Sequence, residues 1–275
     1  MPLFSIFLSS LFCPLGCQAS AAADRQARRY GRTLARQVPL FSALLFSALL
    51  AHSPVRAAEL SLVTEEYPPL NMYGPEGEIT GIATELLRLA AKEIDLALDI
   101  RLLPWKRGYF LARNRPQTCI YSTWRTEERE DLFLWVGPLA KDAWSFYARA
   151  DSKIRLSRLQ DTFDYNVGLV DGWGFTEHLQ KSGHPKLDLV PANDETNLRK
   201  LLSGRIDLWG TGRISGQQIL KGEDDKKIKE IFAIREIGLW VACHKETDPA
   251  LLSELQNALD KLERDGNADR VRADF

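Results

Sequence analysis

The 275-residue chain has only four cysteines, four histidines and two methionines. No two cysteines stand in a Cys-x-x-Cys spacing and no His/Cys cluster forms, so a metal centre and a thioredoxin-like redox pair have no support, and no cofactor is called for. There is no excess of one charge: 36 basic residues face 37 acidic ones, for a net charge of −1. That excludes a basic field for nucleic acid. No Gly-x-Ser-x-Gly and no phosphate-binding glycine loop occurs, which removes the commonest nucleophile and nucleotide signatures. What is present is ordinary for a folded protein: 45% hydrophobic and 27% charged residues. Those values exclude a disordered chain, a collagen-like chain and a disulfide-rich miniprotein. The length fits one large domain or two modest ones.

Charge is unevenly spread. Residues 1–57 carry six arginines (25, 28, 29, 32, 36 and 56) and one acid, Asp24, leaving the rest acidic. A basic leader ahead of an acidic body is the pattern of export. The apolar run Val38–Ala51 follows four of those arginines. At about 14 residues it is short of the roughly 20 needed to span a bilayer and right for the core of a signal peptide. Val55 and Ala57 supply the small residues that cleavage after Ala57 requires. On this reading residues 1 to about 25 are an over-long translation start and the mature protein is periplasmic. A twin-arginine signal at Arg28-Arg29, a lipobox at Leu15-Gly16-Cys17 and a retained membrane anchor are weaker fits. Cys13 and Cys17 go with the leader. Cys119 and Cys243 either join in a disulfide or serve as two small buried hydrophobes.

Beyond the leader, strands and helices alternate. Leu60–Thr64 reads as a strand, and 65–77 as a loop broken by Pro68, Pro69, Gly74 and Pro75. Apolar residues at three- and four-residue steps predict a helix over 82–94. A strand over 98–102, a helix over 105–112, a strand over 118–122 and an extended segment at 132–136 complete a first set. A second set has strands at 166–170, 187–190 and 206–209 and helices at 173–181, 193–202 and 215–220. Asp194 and Glu195 suit the positive end of the 193–202 helix. One strand, 237–243, then a long helix, 249–264, with proline at its start, and a final short helix remain. They are too little for a third domain, and their simplest home is back on the first lobe. The expected architecture is therefore α/β, two lobes (58–142 with 238–275, and 143–237) joined by two hinge crossings near 141–147 and 234–240. Such a clamshell binds its ligand in the cleft and closes by hinge motion.

Three stretches carry a family resemblance. The first is Glu66-Tyr67-Pro68-Pro69-Leu70 followed by Gly77-Glu78-Ile79-Thr80-Gly81-Ile82-Ala83-Thr84-Glu85-Leu86. The second is Ile120-Tyr121-Ser122-Thr123-Trp124-Arg125-Thr126-Glu127-Glu128-Arg129, then Phe133 and Gly137-Pro138. The third is Val167-Gly168-Leu169-Val170-Asp171-Gly172, then Leu202-Ser203-Gly204-Arg205-Ile206-Asp207. In order and spacing, over essentially all of 59–275, they resemble the periplasmic solute-binding proteins of the polar amino-acid type, family 3 of the bacterial extracellular binding proteins. The resemblance implies the type II periplasmic-binding fold.

It also implies a binding site. The family's carboxylate-binding arginine falls on Arg129, whose guanidinium fork matches a carboxylate; the alternative from the residues alone is a surface ion pair with Glu127, Glu128 or Glu130. Tyr67 and Trp105 fall where the family walls its ligand. Tyr121, Ser122, Thr123 and Trp124 lie on a strand end that offers polar contacts, and Gly172 and Trp173 open a helix whose amides suit an anion. Each could equally be core. All seven tryptophans lie past residue 104, and Trp105, Trp124, Trp144, Trp173 and Trp209 sit at loop or strand ends, as in an aromatic-lined cleft. One departure stands out. Amino-acid binders of this family usually carry an aspartate where this chain has Gly212, between Thr211 and Arg213. A ligand cation would then rely on aromatic faces or on Glu65, Glu66 or Asp171. Arg107 is one further candidate cleft cation, and Thr211 and Arg213 complete the set.

The expected function is capture of a small polar solute, carboxylate-bearing or amino-acid-like, by a monomer that delivers it to an inner-membrane ABC-type permease or a receptor. Two other classes fit the fold: a dehydratase-like enzyme, which needs a cleft acid such as Glu65, Glu66 or Asp171, and a stand-alone sensory module. No catalytic pairing is legible in the spacing.

Overall fold

The computed structural model describes residues 59–191, 193–221 and 226–275. The leader, its arginines, Cys13, Cys17 and the expected cleavage bond lie outside the described residues. Among the described residues no helix is long and apolar enough to cross a membrane.

The first half begins with β1 (Glu59–Thr64), whose alternate residues Leu60 and Leu62 are fully buried. A loop containing the short pair β2 (Met72–Tyr73) and β3 (Ile79–Thr80) leads to α1 (Ile82–Glu93). Then come β4 (Ala97–Leu102), α2 (Trp105–Asn114), β5 (Thr118–Trp124) and the single turn α3 (Glu127–Glu130). The second half holds β7 (Val167–Val170), α4 (Gly174–Lys181), β8 (Leu187–Val190), α5 (Glu195–Leu202), β9 (Leu208–Gly212) and α6 (Arg213–Ile219). Two 16-residue strands, β6 (Leu134–Arg149) and β10 (Ile228–Cys243), run between the halves. The chain ends in α7 (Pro249–Arg264) and α8 (Asn267–Ala273).

The main sheet has the order β4-β1-β5-β10-β6-β9-β7-β8. β1 pairs in parallel with β4 and β5, and β7 with β8 and β9. Between these parallel halves, β10 and β6 form a long antiparallel ladder. The C-terminal part of β10 pairs with β5, whereas the C-terminal part of β6 pairs with β9. The chain therefore passes between the halves twice, along these two strands. This is the type II two-lobed clamshell with two crossings.

Three expectations shift. The extended segments at 132–136 and 237–243 are ends of the two long strands. The crossings expected near 141–147 and 234–240 lie within these strands, which pair with each other, Ile228 opposite Arg149 through Cys243 opposite Leu134, with register breaks that let the ladder bend. The strand expected at 206–209 runs 208–212, since Asp207 and Leu208 instead donate their N–H groups to the Asn166 carbonyl. Asp194 stands at the N-cap position of α5 and Glu195 in its first turn, as expected, but the Asp194 side chain turns inward to Trp209 and Thr211.

Cys119 and Cys243 form a disulfide and face each other across β5 and β10. Of the two readings of these cysteines, the pairing holds.

Candidate functional site

The loop after β1, the end of β5, the turn α3 and the starts of α2 and α4 bring together Glu65, Tyr67, Trp105, Ser122, Trp124, Arg129, Trp173 and Gly174 around a cavity of about 10 Å³, the room of one water. β1 delivers Glu65 and Tyr67 into a turn closed by backbone bonds between Tyr67 and Asn71. The Asn71 side chain then ties two strand ends together. Its amide donates to the Glu65 carbonyl and its oxygen accepts from the Ser122 hydroxyl. Ser122 sits at φ +55°, a left-handed conformation uncommon for a residue with a side chain, and the Asn71 bond holds it there.

Arg129 is 1% exposed. Its Nε donates to Glu177 at 3.0 Å, its Nη2 donates to the Gly172 carbonyl at 3.1 Å and meets Glu177 at 2.9 Å. The rings of Trp105 and Tyr109 lie 5.2 and 5.1 Å from the guanidinium carbon, within cation–π range. Nη1 has no hydrogen-bond partner. A buried N–H without a partner is costly, and this one belongs to a cavity-lining residue. The first residue of α4, Gly174, is also there; a Cβ on it would come 3.6 Å from the guanidinium carbon. A guanidinium and a helix N-terminus at one spot favour an anion. The surface ion pair that the residues alone allowed is not formed. Glu128 bonds Lys181 and Glu130 bonds Arg125 instead.

Both halves close on the site. The Trp105 indole donates to the Gly172 carbonyl at 2.7 Å, and the Trp173 indole donates to Glu65 at 3.1 Å. Tyr67 and Trp173 meet edge to face with centroids 5.3 Å apart. Trp124 stacks on Trp144 at 5.0 Å, and Trp144 on Phe175 at 5.2 Å.

Three acids are held in apolar surroundings. Burial pushes Glu65 up to about 8, and Asp142 and Asp194 up to about 6. Burial, then the neighbouring Asp142, Asp194 and Glu65, pushes the Tyr67 phenol well above its ordinary value. Asp194 accepts from the Trp209 indole at 2.9 Å and from the Thr211 hydroxyl. Asp142 uses one oxygen to accept from Ala143 N at 2.7 Å and Ile214 N at 3.0 Å. It thereby caps α6 from another strand, a tertiary signal that the local sequence around 215–220 does not carry.

Of the residues expected from the sequence, Tyr67, Trp105, Ser122, Trp124, Arg129 and Trp173 line the cavity, with Gly172 at its edge. The others are placed elsewhere. The Tyr121 ring points into the core, where its hydroxyl bonds Thr84 at 2.9 Å. Thr123 is buried and bonds the Ile120 carbonyl. Both follow from the strand's alternation of faces. Arg107 is exposed on α2. Arg213 turns to Glu230, 2.9 Å away on β10, and Thr211 is spent on Asp194. Trp209 is core, packed on Tyr147. Asp171 pairs with Lys106. Sequence reasoning missed Asn71, Asp142, Glu177 and Asp194. A local signal existed for Asp142, an acid directly before the buried run Ala143-Trp144-Ser145-Phe146.

The architecture and the cleft together define a periplasmic binding protein of the type II fold. More narrowly, residues 60–275 match the model for bacterial extracellular solute-binding proteins, family 3, and the chain belongs to that family. It is similar to the "Probable amino-acid-binding protein YxeM" of Bacillus subtilis (strain 168), 23% identical over 204 residues, 72% of this chain and 76% of that protein. Among solved structures it resembles a histidine kinase sensor domain with similarity to periplasmic binding proteins, at a TM-score of 0.72 and 21% identity over 80% of this chain and 96% of that one. It also resembles an ancestral arginine-binding protein bound to arginine, at a TM-score of 0.67 and 19% identity over 79% and 98%. Holo ArgBP from T. maritima follows at 0.65 and 18% over 75% and 91%.

Proposed function

We propose that the mature protein is a monomeric periplasmic receptor for a small amino-acid-like solute, whose carboxylate sits on Arg129 between lobes spanning 58–142 with 238–275, and 143–237. Arg129 is the observation that carries this reading: a fully buried guanidinium with one free N–H in a cavity-lining side chain, beside a helix N-terminus. A recess of about 520 Å³ adjoins the cavity and shares Glu65, Tyr67, Trp105 and Trp173 with it. Its described lining includes Glu66, Asp194 and Glu195 but no lysine or arginine, which favours a solute with a cationic side group. The likeness to arginine-binding proteins is in keeping with that preference. Delivery goes to an inner-membrane ABC-type permease.

A second reading, a sensory input module without transport, is favoured by the likeness to a histidine kinase sensor domain. A thermal-shift screen of the protein recovered after export, against amino acids, polyamines, small carboxylates and aromatic acids at millimolar concentration, tests the ligand class. A solute at 100 times its Kd stabilises by about 2.7 kcal/mol. The expected result is a shift of several degrees with an amino acid, largest for a basic one, abolished by Arg129→Ala. Shifts confined to solutes without a carboxylate sink the proposal. Uptake of that solute, absent when the gene is deleted, separates transport from sensing.

A further inference from the structure

Gly212 closes β9 opposite Trp144 of β6. Asp142 lies two residues before Trp144, so it shares that residue's face of the strand. A side chain at position 212 has no room. Even its first carbon would overlap the Tyr67 hydroxyl and the Asp142 Oδ2, with the Trp124 ring 3.0 Å away. Both of those oxygens are buried and both lack a hydrogen-bond partner. Tyr67 is 3% and Asp142 5% exposed. Neither is excused by solvent, and each orphan of this kind carries a desolvation cost.

The surroundings sharpen the point. Asp142 forms no ion pair among the described residues, and the two arginines near the site are engaged elsewhere, Arg213 with Glu230 and Arg129 with Glu177. Glu65, Asp142 and Asp194 all act on the Tyr67 phenol. The spot is therefore rich in buried acceptors, and the arginine whose field reaches Asp142, Arg213, is itself paired with Glu230. Tyr67 and Trp124, which bound it, also line the cavity that holds the free Arg129 N–H.

We propose that Asp142 Oδ2 and the Tyr67 hydroxyl oxygen form an ammonium-binding seat over Gly212, so that β6 rather than β9 supplies the acid for the cationic end of the ligand. The side chain is missing at 212 because oxygens from β6 and the β1 loop occupy its place. An α-amino acid then lies with its carboxylate at Arg129 and its α-ammonium at Asp142, flanked by the Trp124 face. Because Asp142 stands on one of the two strands that cross between the lobes, the seat is completed at the hinge. This inference rests on the amino-acid-like reading above.

The test is calorimetric titration of the whole exported protein with each L-amino acid and, for each that binds, with the 2-hydroxy acid of the same side chain, which keeps the carboxylate and loses the cation. Wild-type protein is expected to bind the hydroxy acid about 100-fold more weakly, since a buried carboxylate is left unpaired. Asp142→Asn keeps the shape and an oxygen for Ile214 N. It is expected to weaken the amino acid about 30- to 100-fold and the hydroxy acid by less than about 3-fold. Tyr67→Phe, a smaller change, should cost the amino acid about 5- to 10-fold and carries the test if Asp142→Asn does not fold. Equal affinity for the two acids, or unchanged amino-acid binding in both variants, overturns the seat while leaving the Arg129 reading intact. Binding of neither class overturns that reading and the seat with it.

Discussion

Glu177 of α4 holds the fork of Arg129, at 3.0 Å from Nε and 2.9 Å from Nη2, and leaves Nη1 free. The pair is lopsided. Arg129 is fully buried, whereas the Glu177 side chain is 37% exposed. Loss of the glutamate strands a buried cation, and the pair is also one of the contacts by which α4 meets α3.

Replacing the glutamate therefore has a definite expected outcome. Glu177→Ala should lower stability by about 1–3 kcal/mol, below the range for breaking a fully buried pair because one partner is partly solvated. A carboxylate ligand then becomes the main anion on Arg129. The ligand-induced rise in melting temperature should be larger in Glu177→Ala than in the wild type. An equal or smaller rise would show that the ligand does not use this fork.

Gly212 gives a second prediction. Its Cβ would overlap two oxygens and press on Trp124. Gly212→Ala should cost about 1–3 kcal/mol by overpacking and abolish ligand binding, whereas Gly183→Ala, with open space at φ +75°, should leave binding unchanged. Denaturant melts and ligand titration of both variants check this. Normal binding by Gly212→Ala would mean the cleft tolerates what the packing forbids.

Glu65 sets a third. Its value near 8 lies above that of an unfolded glutamate. The folded protein holds the proton more tightly, so this contribution to stability is complete at low pH and is lost as pH rises through about 8. Asp142 and Asp194, at about 6, are half titrated there and almost fully ionised by about pH 7. Between about pH 7 and 8 the melting temperature should fall, and Glu65→Gln should flatten that slope. A slope identical in the variant contradicts a buried, protonated Glu65.

Much of the fold was legible because local patterns carried it. The periodicity over 82–94 and the proline-led run 249–264 became α1 and α7 nearly residue for residue. The two crossings were legible as connections near 141–147 and 234–240 but not as long strands, since Trp144 and Phe232 are strand residues through pairing with sequence-distant partners. The site divides the same way. Arg129, Tyr67, Trp105 and Trp173 were readable from motif position. Asp142 and Asp194 were not, because their roles arise from β6, β9 and α5 meeting. The Gly212 departure was visible, but its replacement from the neighbouring strand was not. Tyr121 misled because its neighbours on the same strand, Ser122 and Trp124, do face the cleft.

The disulfide supplies a fourth prediction. Cys119 and Cys243 are 124 residues apart in sequence. Closing so long a loop restricts the unfolded chain strongly, so the Cys119→Ser, Cys243→Ser double variant should lose about 2–5 kcal/mol. The bond joins β5 to β10 and takes no part in lining the cavity, so the folded variant should keep its ligand affinity within about 3-fold, a difference of under 1 kcal/mol. A larger loss of affinity at a temperature where the variant is folded would tie the disulfide to the cleft.

The most direct measurement is mass spectrometry of whatever small molecule is released when wild-type and Arg129→Ala proteins, each purified without dialysis from the cells that naturally make them, are denatured. A stoichiometric compound bearing a carboxylate and an amine from the wild type, and none from Arg129→Ala, is the expected result. A compound lacking a carboxylate, or equal amounts from both proteins, would contradict the role given to Arg129.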